Sequence, residues 1–193
     1  DENEWPIART QWTKYFLHSS GQANTLSGNG TLSSAEPASE PTDSYSYDPA
    51  RPVRFITDPS FAQIGGPDDY REVEQRDDVL VYTSDALTED MEVCGPLRVH
   101  LSAASSARDT DFMAKLIDVW PNGFAQRLND GMVRARFREG MDKPSLIEPG
   151  RVYTYDLDLW NTCQLYQKGH RIRVEVSSSA FPKYDRNLNT GGA

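Results

Sequence analysis

The side chains best suited to acid–base chemistry are three histidines, His18, His100 and His170. Histidine is the commonest general base in enzymes, but none of the three has another histidine or a cysteine at the spacing of a metal site. The sequence also lacks the G-x-S-x-G pattern, which exposes a nucleophilic serine on a sharp strand-to-helix turn. A phosphate-binding glycine loop is absent too. We therefore interpret the histidines as surface or structural residues and expect no catalytic residue or cofactor.

Three aspartates, Asp109, Asp111 and Asp118, surround an apolar run that contains Phe112. Calcium takes about 6 to 8 oxygen ligands, and carboxylates supply them in many proteins. An Asp-Thr-Asp sequence just before a strand more often accepts hydrogen bonds from turn amides. We predict the structural role and keep a calcium site at these three aspartates as the alternative.

Arg134, Arg136 and Arg138 occupy alternate positions, so in a strand they would share one face. Such a face could hold an anionic partner. Opposite charges on neighbouring strands are nevertheless ordinary sheet chemistry. We predict that these arginines pair with acids of the same protein.

The two cysteines, Cys94 and Cys163, lie in different segments and show no metal-site spacing. Free cysteine behaves as a small buried hydrophobic residue, and we predict this role rather than a disulfide. Free cysteines favour a reducing compartment, and the acidic N-terminus shows no signal peptide. Both observations predict a cytoplasmic location.

These residues must be positioned mainly by β-strands, because apolar residues recur with period two and helical periodicity is scarce. A continuously apolar run from Phe112 to Trp120 suits a central strand, and a short strand is expected near 30–33. Four further strands alternate, at 97–101, 133–137, 153–159 and 172–176. Turn residues are found at 121–123, 129–131, 148–150 and 168–169. The pattern predicts an antiparallel sandwich or barrel.

The segment 19–49 is rich in Ser, Gly, Thr, Asn and Pro, and we interpret it as an extended surface segment. Tyr45 and Tyr47 stand at alternate positions within it. Because aromatic rings of this kind usually pack against the protein body, we expect the segment to dock there.

Composition narrows the classes of partner. The chain has 193 residues, which fits one domain, and its net charge of −9 does not provide the basic surface that nucleic acid or an anionic membrane would need. The hydrophobic fraction of 37% is sufficient for a core. No apolar run approaches the roughly 20 residues of a membrane helix.

Several segments together resemble the C-terminal, non-catalytic domain of the hydrolase family that contains cocaine esterase and the X-prolyl dipeptidyl peptidases. The similarity spans nearly the whole chain from Trp5 onward and includes the order and spacing of the matching segments. They are Arg76–Leu80, Ser84–Asp90, Asp109–Phe112, Lys115–Gly123, Gly169–Arg173 and Ser177–Asn187.

The resemblance implies an all-β, jelly-roll (galactose-binding-like) β-sandwich with a long irregular N-terminal segment. In the family, this sandwich follows an α/β-hydrolase domain, which carries the Ser, His and Asp, and a helical cap. Residues 1–193 would then be a single sandwich domain and a C-terminal fragment of a larger hydrolase. Family members continue beyond the position of Ala193 into a further strand, so we expect that final strand to be absent here and its neighbour to be an exposed edge.

The resemblance also implies a function. The domain would pack on the catalytic domain and the helical cap, and a loop between Arg54 and Pro67 would reach the rim of the acyl pocket. Phe61 is the first candidate for a pocket contact, with Phe55 and Ile64 beside it, although a plain packing role for Phe61 is an equal alternative. By itself, the chain would be inert.

Two alternatives of other classes stay open. Jelly rolls often bind sugars through exposed aromatic platforms, so a free-standing carbohydrate-binding module is the first. It would use the tryptophans, which are Trp5, Trp12, Trp120 and Trp160. The second is a regulatory module that mediates formation of a homodimer.

Overall fold

The computed structural model describes residues 3–56 and 68–192. Its regular structure consists almost entirely of strands. The eight strands are β1 Phe16–His18, β2 Thr31–Ser33, β3 Leu80–Thr83, β4 Met91–Ala103, β5 Asp111–Val119, β6 Ala125–Arg134, β7 Tyr153–Tyr166 and β8 Arg171–Ser177. Short 3-10 helices cover Tyr70–Gln75 and Ala135–Phe137.

The strands form two sheets. One has six strands in the order β1-β2-β3-β8-β5-β6, and the other consists of β4 and β7. All pairs are antiparallel except β2 with β3. The sheets pack around a shared apolar core, so the predicted all-β sandwich is confirmed.

Strand β5 is buried along its whole length because both of its faces are covered. Phe112, Ala114 and Leu116 point into the core between the sheets, where Tyr155 from β7 meets them. Ile117 belongs to a second apolar cluster on the opposite face, under the 3-10 helix 70–75. Double coverage explains why the sequence of β5 is continuously apolar rather than alternating.

Two local predictions are wrong. Residues 129–131 do not form a turn but lie inside β6, which pairs with β5 and has an irregular register opposite Leu116 and Ile117. Gly131 is needed there because a Cβ would collide with the carbonyl oxygen of Asp158. The strand expected at 133–137 ends at Arg134, and a 3-10 helix follows. Long-range pairing overrides local turn chemistry at these positions.

The segment 19–49 is largely irregular, and side-chain hydrogen bonds attach it to the sandwich. Asp43 accepts from the backbone N–H of Ala23 at 2.8 Å and from the hydroxyl of Tyr82 at 2.8 Å. Tyr45 shares a 2.8 Å hydrogen bond with Ser178, and the Tyr47 hydroxyl donates to a backbone carbonyl at 3.0 Å. The alternating tyrosines therefore dock as their spacing predicts.

The cysteine prediction is also wrong. Cys94 on β4 lies directly opposite Cys163 on β7, their Cα atoms are 4.0 Å apart, and the two form a disulfide. They are 69 positions apart in sequence, so the pairing of β4 with β7 alone brings them together. Among the described residues, no helix has the length and apolar character to cross a membrane.

Candidate functional site: the Phe55 cluster

Of the three residues predicted at the pocket rim, Phe55 is placed by the structure. Phe61 and Ile64 lie outside the described residues. Phe55 is 8% exposed, and its backbone N–H donates to the carbonyl of Phe181 at 2.8 Å. The short bridge between 53–55 and 181 ties the start of the predicted rim segment to the end of the sandwich.

The ring of Phe55 lies among cationic side chains. The guanidinium of Arg127 is 4.6 Å and the ammonium of Lys183 is 4.9 Å from the ring centroid. Tyr70 packs edge-to-face against it at 6.5 Å. Cation–π contacts of this kind are stronger where water is excluded. We call these four residues, together with Asp130, the Phe55 cluster.

Asp130 balances the positive charges of the Phe55 cluster. Its carboxylate accepts from Lys183 Nζ at 2.6 and 2.8 Å and from Arg127 at 3.2 Å. The Tyr184 hydroxyl donates to it at 3.2 Å. Asp130 is buried on strand β6, within the tripeptide that local patterning predicts as a turn.

The tyrosines of this region stay protonated at neutral pH. Burial raises the pKa of Tyr70 to about 12, and burial together with the nearby Asp130 raises the pKa of Tyr184 to about 12. The Tyr70 oxygen accepts the backbone N–H of Ile56 at 3.2 Å. Because both phenols keep their protons, neither can act as a general base. The geometry of the Phe55 cluster therefore suits a structural role rather than proton transfer.

The cluster contacts the chain on both sides of residues 57–67. Phe55 and Ile56 precede them, and Asp68 and Tyr70 follow them. Asp68 Oδ2 lies 4.0 Å from Arg127, and both this oxygen and Arg127 Nε are buried without a hydrogen-bond partner among the described residues. Buried polar atoms of this kind usually have a partner.

A second buried charge network lies on the same face of the six-stranded sheet. Lys115 Nζ donates to Glu175 at 2.9 Å, and Arg173 donates to Glu74 at 2.5 Å. The pKa of Glu74 is raised to about 7, chiefly by burial and secondly by the neighbouring Glu175 carboxylate. The 3-10 helix 70–75 places Glu74 over the sheet. Sequence analysis missed this network because β5 and β8 meet only in the folded protein.

Arg134 and Arg136 pair with acids of the same protein as predicted, whereas the aspartates accept mainly from side chains rather than from the predicted turn amides. Arg136 pairs with Asp109 at 2.8 Å, and Arg134 pairs with Asp111 at 2.8 Å. Asn187 donates to both aspartates at 2.9 Å. The structure places these two aspartates at one end of β5.

Arg138 and Asp118 are the remaining residues of the predicted arginine and aspartate groups. Arg138 donates to the carbonyls of Ala135 and Ser145. Asp118 lies at the opposite end of β5, seven residues and roughly 23 Å from Asp111 at about 3.3 Å per residue. The structure therefore does not bring together the three aspartates of the calcium alternative.

Each histidine has a carboxylate partner. His170 is buried, and its Nδ1 lies 2.8 Å from Asp118, whose pKa is raised by burial. His100 contacts Asp156 on the exposed sheet. These contacts agree with the structural interpretation of the histidines.

His18 makes the contact that most resembles catalysis. Its Nδ1 lies 2.8 Å from Glu40, and its Nε2 lies 3.1 Å from Ser33 Oγ, which is the order of a serine–histidine–acid triad. Sequence analysis missed this contact, since Ser33 ends the short strand β2 and Glu40 lies in the irregular segment after it.

The surroundings of His18 oppose a catalytic role. Nε2 also lies 3.1 Å from the carbonyl oxygen of Ala35, which can only accept, so a proton on Nε2 is favoured. Nδ1 faces the Glu40 carboxylate, and the hydrogen bond to His18 lowers the pKa of Glu40. An Nε2 that donates to the Ala35 carbonyl has no lone pair for the Ser33 proton, and the contact instead fastens residues 35–40 to β1.

The sequence and fold were compared with known proteins. Residues 1–193 match the model of the X-Pro dipeptidyl-peptidase C-terminal non-catalytic domain. Over 194 aligned residues, the chain is 48% identical to a cocaine esterase from Rhodococcus sp. (strain MB1 Bresler), with all of this chain and 34% of the esterase covered. It is 31% identical over 134 residues, or 60% of this chain and 21% of the relative, to a putative serine esterase from Mycobacterium bovis.

Solved structures agree with these relatives. An aminopeptidase from a marine sediment archaeon superposes with a TM-score of 0.81 at 30% identity, covering 98% of this chain and 32% of that protein. An alpha-amino acid ester hydrolase superposes with a TM-score of 0.80 at 32% identity, covering 91% and 30%. The chain spans about a third of the length of the cocaine esterase, and it belongs to the X-Pro dipeptidyl-peptidase C-terminal, non-catalytic domain family.

Proposed function

We propose that this sandwich packs on the catalytic domain and helical cap of a serine hydrolase and that residues 54–67 form part of the rim of its acyl pocket. The parent reaction would be acyl transfer through a covalent seryl intermediate, on residues outside this chain. The Phe55 cluster is the observation that carries the proposal, since it anchors the chain immediately before and after residues 57–67.

The anchoring suits a segment that contributes to a binding pocket. Binding loops work best when a rigid scaffold holds their ends. Phe55 and Tyr70 are buried on that scaffold, while Arg127 and Asp130 stand on β6. The described residues on both sides of residues 57–67 are therefore fixed to the sandwich.

Exposed apolar side chains are available for docking against other domains. Large exposed apolar residues are typical of interaction surfaces when they form patches. The large apolar side chains that are exposed among the described residues are Trp5, Trp12, Tyr15, Trp120, Met141, Val152, Trp160, Leu165, Phe181 and Leu188. Burial of some of these against a catalytic domain would stabilise both partners.

The test uses the full-length hydrolase with Phe61→Ala. We expect a higher KM for esters with a large acyl group, a smaller change for acetyl esters, and an unchanged melting temperature. Phe16→Ala, at a half-buried ring on β1 outside the predicted rim segment, is the matched control. If Phe61→Ala and the wild type have the same KM for the large-acyl ester and the same KM for the acetyl ester, Phe61 does not lie at the pocket rim.

Packing on the catalytic domain is tested separately. Deleting residues 1–193 from the full-length hydrolase should lower its melting temperature and expose apolar surface to a hydrophobic dye. Adding back the separately purified chain should restore part of the loss. A catalytic domain that melts at the same temperature with and without the sandwich would contradict the scaffolding role.

The carbohydrate-binding alternative has one specific observation in its favour. Trp160 is 71% exposed and borders a surface hollow of about 240 Å³, which Met132, Asp158 and Tyr184 also line. Calorimetry against a panel of oligosaccharides tests it. Heat that disappears in Trp160→Ala would support sugar binding, whereas the absence of binding would leave docking as the role of this surface.

A further inference from the structure

The exposed face of the two-stranded sheet carries a group of potential metal ligands. Glu92 and Cys94 are two positions apart on β4, so their side chains point to the same face. Cys163 lies opposite Cys94 on β7. One ligand atom from each of the three lies within 4.8 Å of the others, and Glu92 and Cys163 are exposed.

We propose that reduction of the Cys94–Cys163 disulfide turns this group into a binding site for a soft divalent cation such as Zn²⁺. Two thiolates and one carboxylate are a ligand set that zinc accepts, with water in the fourth position. The strand pairing presents the ligands together before the metal arrives. This proposal is independent of the pocket-rim function.

The redox step balances with a cellular dithiol as the reductant. The Sγ–Sγ bond of the protein breaks, Cys94 and Cys163 gain two electrons and two protons, and the dithiol becomes a disulfide. Cation binding then displaces the two thiol protons and forms two metal–sulfur bonds. In a reducing compartment, where disulfides are rare, a cysteine pair more often binds metal.

Neighbouring residues are compatible with this site. Arg9 lies 3.5 Å from Glu92, and both side chains are at least half exposed, so this ion pair is weak and a cation can compete for the carboxylate. The Thr10 hydroxyl donates to the carbonyl of Cys94 at 3.1 Å, which fixes the adjacent backbone.

The test is a metal titration of the full chain. The protein is reduced with a phosphine, the reductant is removed without oxygen, and Cd²⁺ is added while thiolate-to-metal charge-transfer absorption is followed. We expect one Cd²⁺ per chain, and Zn²⁺ in excess should compete for the same site. Protein kept in the disulfide form should show no such absorption, and equal binding by the oxidised and reduced forms would overturn the proposal.

Variants identify the ligands. Cys163→Ser should weaken binding by about 100-fold or more and Glu92→Gln by about tenfold, because loss of even an outer-shell partner costs about 10–100-fold. Glu89→Gln, at another exposed acid near the start of β4, is the matched control and should leave the affinity unchanged. Unchanged affinity in Cys163→Ser would mean adventitious binding to surface carboxylates, and unchanged affinity in Glu92→Gln would remove the carboxylate from the site.

Circular dichroism separates ligand loss from misfolding. All three positions lie on the outer face of the sheet, and Glu92 and Cys163 are exposed, so each variant should keep the spectrum of the wild type. Metal should also raise the melting temperature of the reduced wild type but not that of Cys163→Ser. A rise of equal size in both would overturn the proposal.

Discussion

The ammonium of Lys115 on β5 donates to the carboxylate of Glu175 on β8 at 2.9 Å, and their side chains are 1% and 0% exposed. The two residues are paired across adjacent strands. The Tyr70 ring lies 5.5 Å from the same ammonium. A complete ion pair is therefore enclosed between the six-stranded sheet and the 3-10 helix above it.

Breaking this pair should be costly. Lys115→Met leaves the Glu175 carboxylate buried without its partner, and we expect the free energy of unfolding to fall by about 3–5 kcal/mol. Urea denaturation measures it. The double variant Lys115→Met/Glu175→Leu removes both charges and should recover much of the loss; a double variant as unstable as the single one would show that the pair is not the cause.

Stability should also depend on pH through Glu74. The pKa of its carboxyl is raised from 4.5 to about 7 in the folded protein, chiefly by burial. Between these two values, the folded state binds more protons than the unfolded state, so stability falls as pH rises. The stabilising contribution is complete below about pH 4.5 and is lost as pH passes through 7.

The measurement is the free energy of unfolding at several pH values from about 5 to 8. At about 1.4 kcal/mol per pKa unit, the fall assigned to Glu74 is on the order of 2 kcal/mol. Glu74→Gln should flatten this part of the curve. Asp90→Asn, at an exposed acid, serves as the control, and a Glu74→Gln variant with the wild-type slope would refute the assignment.

Phe55 should contribute to stability as well as to the proposed rim. Phe55→Ala removes a buried ring that packs on Tyr70 and lies beneath Arg127 and Lys183, and we expect a loss of about 3–5 kcal/mol. Phe181→Ala, at a ring that is 40% exposed, should cost clearly less. Thermal and urea unfolding of both variants provide the comparison, and equal losses would contradict the buried role of Phe55.

The His18 contact leads to a prediction about catalysis. Because the ring faces acceptors at both nitrogens, we expect the purified chain to hydrolyse an aryl ester no faster than buffer and to resist labelling by a serine-directed phosphonate. Ser33→Ala should not change that background. Hydrolysis abolished by Ser33→Ala would show that the contact is a working triad.

Much of the fold follows from local patterning. Alternation at Tyr153, Tyr155 and Leu157 predicts β7, and the continuous apolar run after Asp111 predicts a strand covered on both faces, because side chains of successive strand residues point in opposite directions. The tyrosines of 45–47 predict docking of the N-terminal segment. The prediction of turns is less reliable: the 129–131 tripeptide has turn residues but pairs with β5.

The candidate site was only partly predictable. Phe55 entered through family resemblance, whereas Arg127, Asp130 and Lys183 had no local signal that would connect them. Their contacts span the sequence from β6 to the region after β8. Such contacts arise when sheet register places distant residues side by side.

The sequence alone predicted the all-β class, the family and a domain without its own nucleophile. These predictions were possible because alternating hydrophobicity and an ordered set of motifs are local properties of the chain. Only the tertiary structure decided that Cys94 meets Cys163, that Lys115 and Glu175 form a buried pair, and that His18 lies between Ser33 and Glu40. The physical reason is that strand register is set by the burial of whole sheet faces. Residues far apart in sequence therefore become neighbours only once both sheets have packed.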